Sequence, residues 1–172
     1  MKKTLFHRLL IIGTALTLNT QVPAQTSHTT PFVIADAGTS STLLASLKAK
    51  HEKAYHHLTR TFPDAIVSRV EDEKDGTHIK ASVDGNSLRV KYDRKGRFIN
   101  SVLSYPSSEL NEATADKVMQ AFPGFSIFNQ VLEVTSGNKS ALLVMIENKK
   151  TWKRVRLTSE GMDVYEEYVK AK

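Results

Sequence analysis

Residues 62–105 read FPDAIVSRVEDEKDGTHIKASVDGNSLRVKYDRKGRFINSVLSY, and residues 122–169 read FPGFSIFNQVLEVTSGNKSALLVMIENKKTWKRVRLTSEGMDVYEEYV. Both stretches open on Phe-Pro, alternate apolar and polar residues, and close with a strand, a turn glycine and a further strand. In the first, segments 65–71, 77–83, 87–93 and 98–105 have the period of two expected of half-buried strands. Asp75-Gly76, Asp84-Gly85 and Lys95-Gly96 separate them, and such pairs suit tight hairpin turns. The second gives strands at 125–134, 141–148, 151–158 and 162–169, joined by Ser136-Gly137-Asn138, Asn148-Lys149-Lys150 and Glu160-Gly161. The Phe-Pro pairs lie 60 residues apart but Gly96 and Gly161 lie 65 apart, so the second copy carries about five additional residues in its first two strands or their turns. A unit that recurs fixes an architecture more firmly than any single segment does.

Each meander is preceded by a helix pattern. Leu44, Leu47, His51, Tyr55, Leu58 and Phe62 recur at spacings of three and four, which predicts one amphipathic helix with cap candidates at Ser40 to Thr42 and a stop at Pro63. In the second copy Pro106 and Ser107/Ser108 predict the start of a helix carrying Leu110, Ala113, Val118, Ala121 and Phe122 inward, with Pro123 as its stop. A unit of about 60 residues buries only about 60% of its chain surface when alone, so the copies are expected to share one sheet or one core. The reading is α+β: tandem α-β4 units forming an antiparallel sheet with two helices packed on one face. The other face is then free to meet a partner.

Lys2, Lys3 and Arg8, the apolar run 9–18 and Val22-Pro23-Ala24 read as a secretory signal cleaved after Ala24. Its apolar core of about ten residues is half the roughly 20 needed to span a bilayer. Residues 25–41, rich in Thr, Ser, Ala and Gly, read as a flexible linker, followed by a domain of two repeats, 42–105 and 106–172. Removing the signal takes three of the 24 Lys/Arg and none of the 18 Asp/Glu, so net charge falls from +6 to +3. That mild balance gives no argument for nucleic acid or membrane binding. With no cysteine, the chain has no disulfide, lipid-attachment cysteine or thiolate nucleophile, and its core alone must hold it in a periplasmic or secreted setting.

The chain resembles the small exported PepSY-like proteins of Bacteroidetes, which are similar in fold to the β-lactamase-inhibitor protein. The resemblance rests on Phe62-Pro63, on the strand-turn-strand 88–98 with Tyr92-Asp93 and Gly96, on Phe122-Pro123-Gly124-Phe125-Ser126-Ile127, on Glu133-Val134-Thr135-Ser136-Gly137-Asn138, and on Lys150-Thr151-Trp152-Lys153. It covers the chain from about Leu44 onward. It implies tandem α-β4 repeats and a role in binding or inhibiting another exported protein, and it brings no active-site residues with it.

Aligning Tyr92 with Leu157 sets Arg89 against Arg154 and Lys91 against Arg156, so each copy puts a basic pair on the polar face of its third strand. Trp152 shares the face of Arg154 and Arg156. Together Arg89, Lys91, Trp152, Arg154 and Arg156 are the expected partner-binding residues, forming a cationic strip for an acidic protein or peptide. Against this stands the ordinary use of Lys and Arg on any solvated strand face. No metal site is expected. His51, His56 and His57 lack the i, i+4 spacing that places two ligands on one helix face, and the acidic turn 71–76 lacks the alternating oxygens of a calcium loop. The chain has no Gly-x-Ser-x-Gly elbow and no glycine-rich phosphate loop, so no catalytic residue and no cofactor is assigned. The expectation is a non-catalytic exported binding protein. The alternative is a periplasmic carrier of a small ligand, with its pocket between helices and sheet.

Overall fold

The computed structural model describes residues 37–171; the expected signal segment and most of the expected linker lie outside the described residues. Helices α1 (Ala37–Lys50) and α2 (Glu52–Thr61) precede strands β1 (Ile66–Glu73), β2 (Gly76–Val83), β3 (Asn86–Asp93) and β4 (Phe98–Pro106). A 3-10 turn (Ser107–Glu109) and helix α3 (Glu112–Ala121) lead into β5 (Ser126–Ser136), β6 (Lys139–Glu147), β7 (Thr151–Thr158) and β8 (Gly161–Val169). The strands form a single sheet in the order β1 to β8, with every neighbouring pair antiparallel. The two copies therefore share one sheet, joined where Leu103 of β4 faces Glu133 of β5 and Tyr105 faces Val131.

The repeat extends to the backbone. Phe62 and Phe122 end α2 and α3 with φ/ψ of −131°/70° and −128°/70°, and their N–H groups donate to the carbonyls of Leu58 and Val118. Each Phe carbonyl then accepts from the residue three on, Ala65 or Phe125, at 3.2 Å. Proline follows a helix end in this way because it supplies no N–H to continue the ladder.

The first helix differs from the single helix expected. It breaks at His51, whose φ/ψ of −138°/60° is not helical. The break leaves few backbone groups orphaned, because His51 N–H still reaches the Leu47 carbonyl at 2.7 Å and the His51 carbonyl accepts from Tyr55 at 3.0 Å. The imidazole Nε2 lies 2.8 Å from an Asp72 carboxylate oxygen on β1. Leu47 and Leu58 are buried from the two sides of the break, with Leu44, Tyr55 and Phe62 packed beside them. α1 also begins at Ala37, inside the expected linker. Ser41 and Thr42 bond the carbonyl of Gly38 rather than capping the helix. Ser40 is buried, and its hydroxyl accepts the N–H of Val67 on the edge strand at 2.9 Å. In the second copy the cap is Asn111, whose side chain accepts from Thr114. Leu110 and Val118 turn inward as expected, but Ala113 and Ala121 are exposed.

The core forms two clusters on one side of the sheet. Leu47, Ala54 and Leu58 pack on Val67, Ile79, Ala81, Leu88, Val90 and Tyr92, while Leu110 and Val118 pack on Val131, Val144, Ile146 and Val155. Each large apolar side chain buried this way stabilises the fold by about 1.5–3 kcal/mol. The extra length of the second copy is visible in β5: from Ile127 to Val131 it spends four positions where β6 spends two, from Ile146 to Val144. Asn129, within this bulge, takes a positive φ of 64°. No described helix is long and apolar enough to cross a membrane.

Candidate partner-binding face

Strand pleat and register assign every sheet residue to a side. All the buried hydrophobic residues of the strands point toward the helices, and the alternate positions form a face on which no described helix lies. Arg89 and Lys91 of β3 and Trp152, Arg154 and Arg156 of β7 are all on this open face. The expected side is thus the observed one.

The strip they were expected to form is not. Between β3 and β7 stand β4, β5 and β6, so the two basic pairs are four strand spacings apart, about 19 Å at 4.8 Å each. Most of the cations are also already paired. Lys91 Nζ reaches an Asp75 carboxylate oxygen at 2.5 Å, and Arg154 donates to Glu166 at 2.6 Å. Arg156 grips both Asp163 oxygens, at 3.0 and 2.8 Å, beneath the Tyr165 ring. Among the described residues only Arg89 of the four has no acidic partner. The pairing is reflected in proton affinities. The hydrogen bond from Lys91 holds the Asp75 carboxyl below its ordinary range, and Asp163 raises that of the Arg156 guanidinium.

What lies between the charged flanks is apolar. Val102 faces Val134 across β4 and β5, and Leu132 faces Leu143 across β5 and β6. Met145 completes the row opposite Arg154. A depression of about 130 Å³ opens here, lined by Leu132, Leu143, Met145 and Arg154 and rimmed by Asn129 and Gln130 of the β5 bulge. Along β7 and β8 the surface turns aromatic. Trp152, Tyr165 and Tyr168 are 40%, 51% and 47% exposed. Trp152 Nε1 donates to Glu147 at 2.9 Å, while Lys170 sits on the same carboxylate at 2.6 Å and over the indole. These two bonds lower the proton affinity of Glu147, and the acceptor Glu166 raises that of the Tyr168 hydroxyl. The aromatic groups are thus oriented by hydrogen bonds while their rings stay open to solvent.

The apolar row was missed in the sequence, although residues 141–146, Ala-Leu-Leu-Val-Met-Ile, carry a signal: a strand apolar at both parities has two apolar faces. The three helix histidines go to separate surroundings, His51 to Asp72, His56 beside Glu52 and His57 to Tyr92. At the acidic turn Glu73, Asp75 and His78 bring ligand atoms within 4.8 Å of one another. They are the one group among the described residues placed to share a metal ion, and the Lys91 ammonium is already on Asp75.

No family model and no curated protein matches the chain. Solved structures do. A BLIP-like protein from Bacteroides fragilis NCTC 9343 aligns with a TM-score of 0.51 at 18% identity, covering 70% of this chain and 86% of that one. A DUF2874 family protein from Bacteroides uniformis ATCC 8492 aligns at 0.51 and 13% identity, covering 68% and 87%. A protein of Bacteroides eggerthii DSM 20697, provisionally named as periplasmic, aligns at 0.50 and 12% identity, covering 69% and 87%. The likeness is one of fold. It places the α-β4 repeat beside BLIP-like and DUF2874 proteins and leaves the chemistry of the open face to be read from this chain's own residues.

Proposed function

We propose that this chain is a non-catalytic binding protein of the exported compartment, of the PepSY-like type, which docks its open sheet face on another exported protein and inhibits or sequesters it. The observation that carries this reading is the composition of the face: an apolar row, Val102, Val134, Leu132, Leu143 and Met145, flanked by paired charges and by three half-exposed aromatic side chains. Protein interfaces concentrate binding energy in a few desolvated aromatic and Arg anchors with a polar rim around them. Trp152, Tyr168 and Arg154 suit the anchor role. The partner is complementary in shape with mixed charge, because the basic side chains bring their own counter-ions. The groups with shifted proton affinity do not converge in one cleft: His57 is on α2, Asp75 and Asp93 are at one end of the β1–β3 hairpins, and Glu147 is at the end of β6, which supports binding over catalysis.

Affinity capture from the exported fraction of the native host tests the reading. A Leu143→Asp/Trp152→Ala variant is expected to lose the captured protein, while Lys117→Glu, on α3 and the opposite side, retains it. Unchanged far-ultraviolet dichroism in both variants assigns the loss to the face. Equal capture by both would contradict the proposal.

A further inference from the structure

The side of the sheet that carries the helices is not fully covered. Between α2 and α3 a strip of β4, β5 and β6 remains open, and on it stands Glu133, whose cross-strand neighbours are Leu103 and Leu142. A carboxylate in an apolar row under a packed helix would be costly, so its presence marks ground the helices do not cover. Glu133 is exposed and has no ion-pair partner among the described residues. It forms a wall of two adjoining cavities, about 550 Å³ toward α3 and about 350 Å³ toward α2.

The cavity toward α2 has a defined chemistry. Phe62, Phe98 and His57 supply aromatic surface, with the His57 ring stacked on Phe98 at 4.6 Å between centroids and 18° between planes. The same ring has Nδ1 on the Tyr92 hydroxyl at 3.1 Å, which fixes its orientation. Ser101 and Thr135 line the cavity as well. Ser101 is only 6% exposed, and its hydroxyl has no hydrogen-bond partner among the described residues. The hydroxyl is therefore a free polar group on the cavity wall, available to a ligand that donates to it. No Lys or Arg lines this cavity, and burial first and the nearby Arg60 second disfavour protonation of His57. The adjoining cavity does hold a cation, Lys117, which favours the α2 side for a positive ligand.

We propose that this recess binds a small organic ammonium ion with an apolar body. The ammonium donates to the Glu133 carboxylate and to Ser101 Oγ, and the body lies against Phe62, Phe98 and Leu103. The aromatic faces add cation–π attraction, and the volume is within the range of small-ligand sites, about 300–1,000 Å³. This site is on the side opposite the proposed docking face, so the two readings stand or fall separately.

The test is an amide NMR titration of the protein with 2-phenylethylamine, charged at pH 7, and with its uncharged near-isostere 2-phenylethanol. The expected result is shifts at Ser101, Thr135 and Phe98, with the amine binding at least about tenfold more tightly than the alcohol. Glu133→Gln is expected to abolish that preference without moving the melting temperature, since the residue is exposed, and Ser101→Ala to weaken the amine a few-fold. Equal affinity for amine and alcohol, a preference that survives Glu133→Gln, or the absence of shifts at those amides would each overturn the assignment.

Discussion

At the scale of single residues, turns and buried pairs decide more than composition does. Gly76 opens β2 with φ +150°, and a Cβ built there would lie 1.9 Å from the Tyr92 carbonyl oxygen on β3. The obstacle is backbone, so relief requires the β2–β3 pair to move. Gly76→Ala is expected to cost more than about 2 kcal/mol in urea unfolding, against about 1 kcal/mol for Gly85→Ala, where φ is +80° but the space is open. A small effect at Gly76 would show that the hairpin register can give.

His57 supplies a pH dependence with a definite sign. Its folded-state pKa is lowered from the ordinary 6.5 by burial first and by Arg60 second. The unfolded chain therefore takes up the proton before the folded one does. The contribution is fully present above about pH 6.5 and is lost as pH falls through the lower folded value. Urea midpoints at pH 7.5 and 5.5 are expected to differ less in His57→Gln than in the parent. An identical difference in the two proteins would show that His57 does not carry it. Residue roles of this kind were only partly legible in the sequence. The face of Trp152 followed from strand parity, but the pairing of Lys91 with Asp75 depends on which residues a hairpin turn brings alongside, and no spacing rule encodes it.

At the scale of elements, the helices show where pattern reading stops. The stripe from Leu44 to Phe62 was legible because the apolar positions keep helical spacing. The break at His51 was not, because it is drawn by Asp72 on another element and costs few hydrogen bonds. That break frees α1 to lie along the sheet edge, where Ser40 accepts the Val67 N–H. An edge strand otherwise offers open donors to other chains. Ser40→Ala is expected to cost about 1–3 kcal/mol by leaving that N–H unsatisfied, and to speed hydrogen exchange at Val67 while the β4–β5 amides stay protected. Equal acceleration in β4 and β5 would mean that α1 and β1 do not open separately from the rest. The β5 bulge belongs to the same scale. The count of five additional residues was legible, but not that two of them make the β5 bulge whose Asn129 and Gln130 rim the depression at Leu132 and Leu143.

At the scale of the whole molecule, the duplication carries the argument. Two copies of one unit gave the strand count, the hairpin order and the single-sided helices, because each follows from period, turn residues and the need to share a core. The open face was legible as a location and misread as a composition: basic pairs recur in both copies, yet register separates them by three strands and neutralises most of them locally. The apolar row between them is made by β4, β5 and β6 together, so it appears only once the copies are joined. Site-specific photocrosslinking in the exported compartment of the native host tests this account directly, with a photoreactive residue at Leu143 on the open face and, for reference, at Gln120 on the outer side of α3. The account predicts one discrete crosslinked protein from position 143 and none from position 120. The same product from both positions, or none from 143, would contradict it.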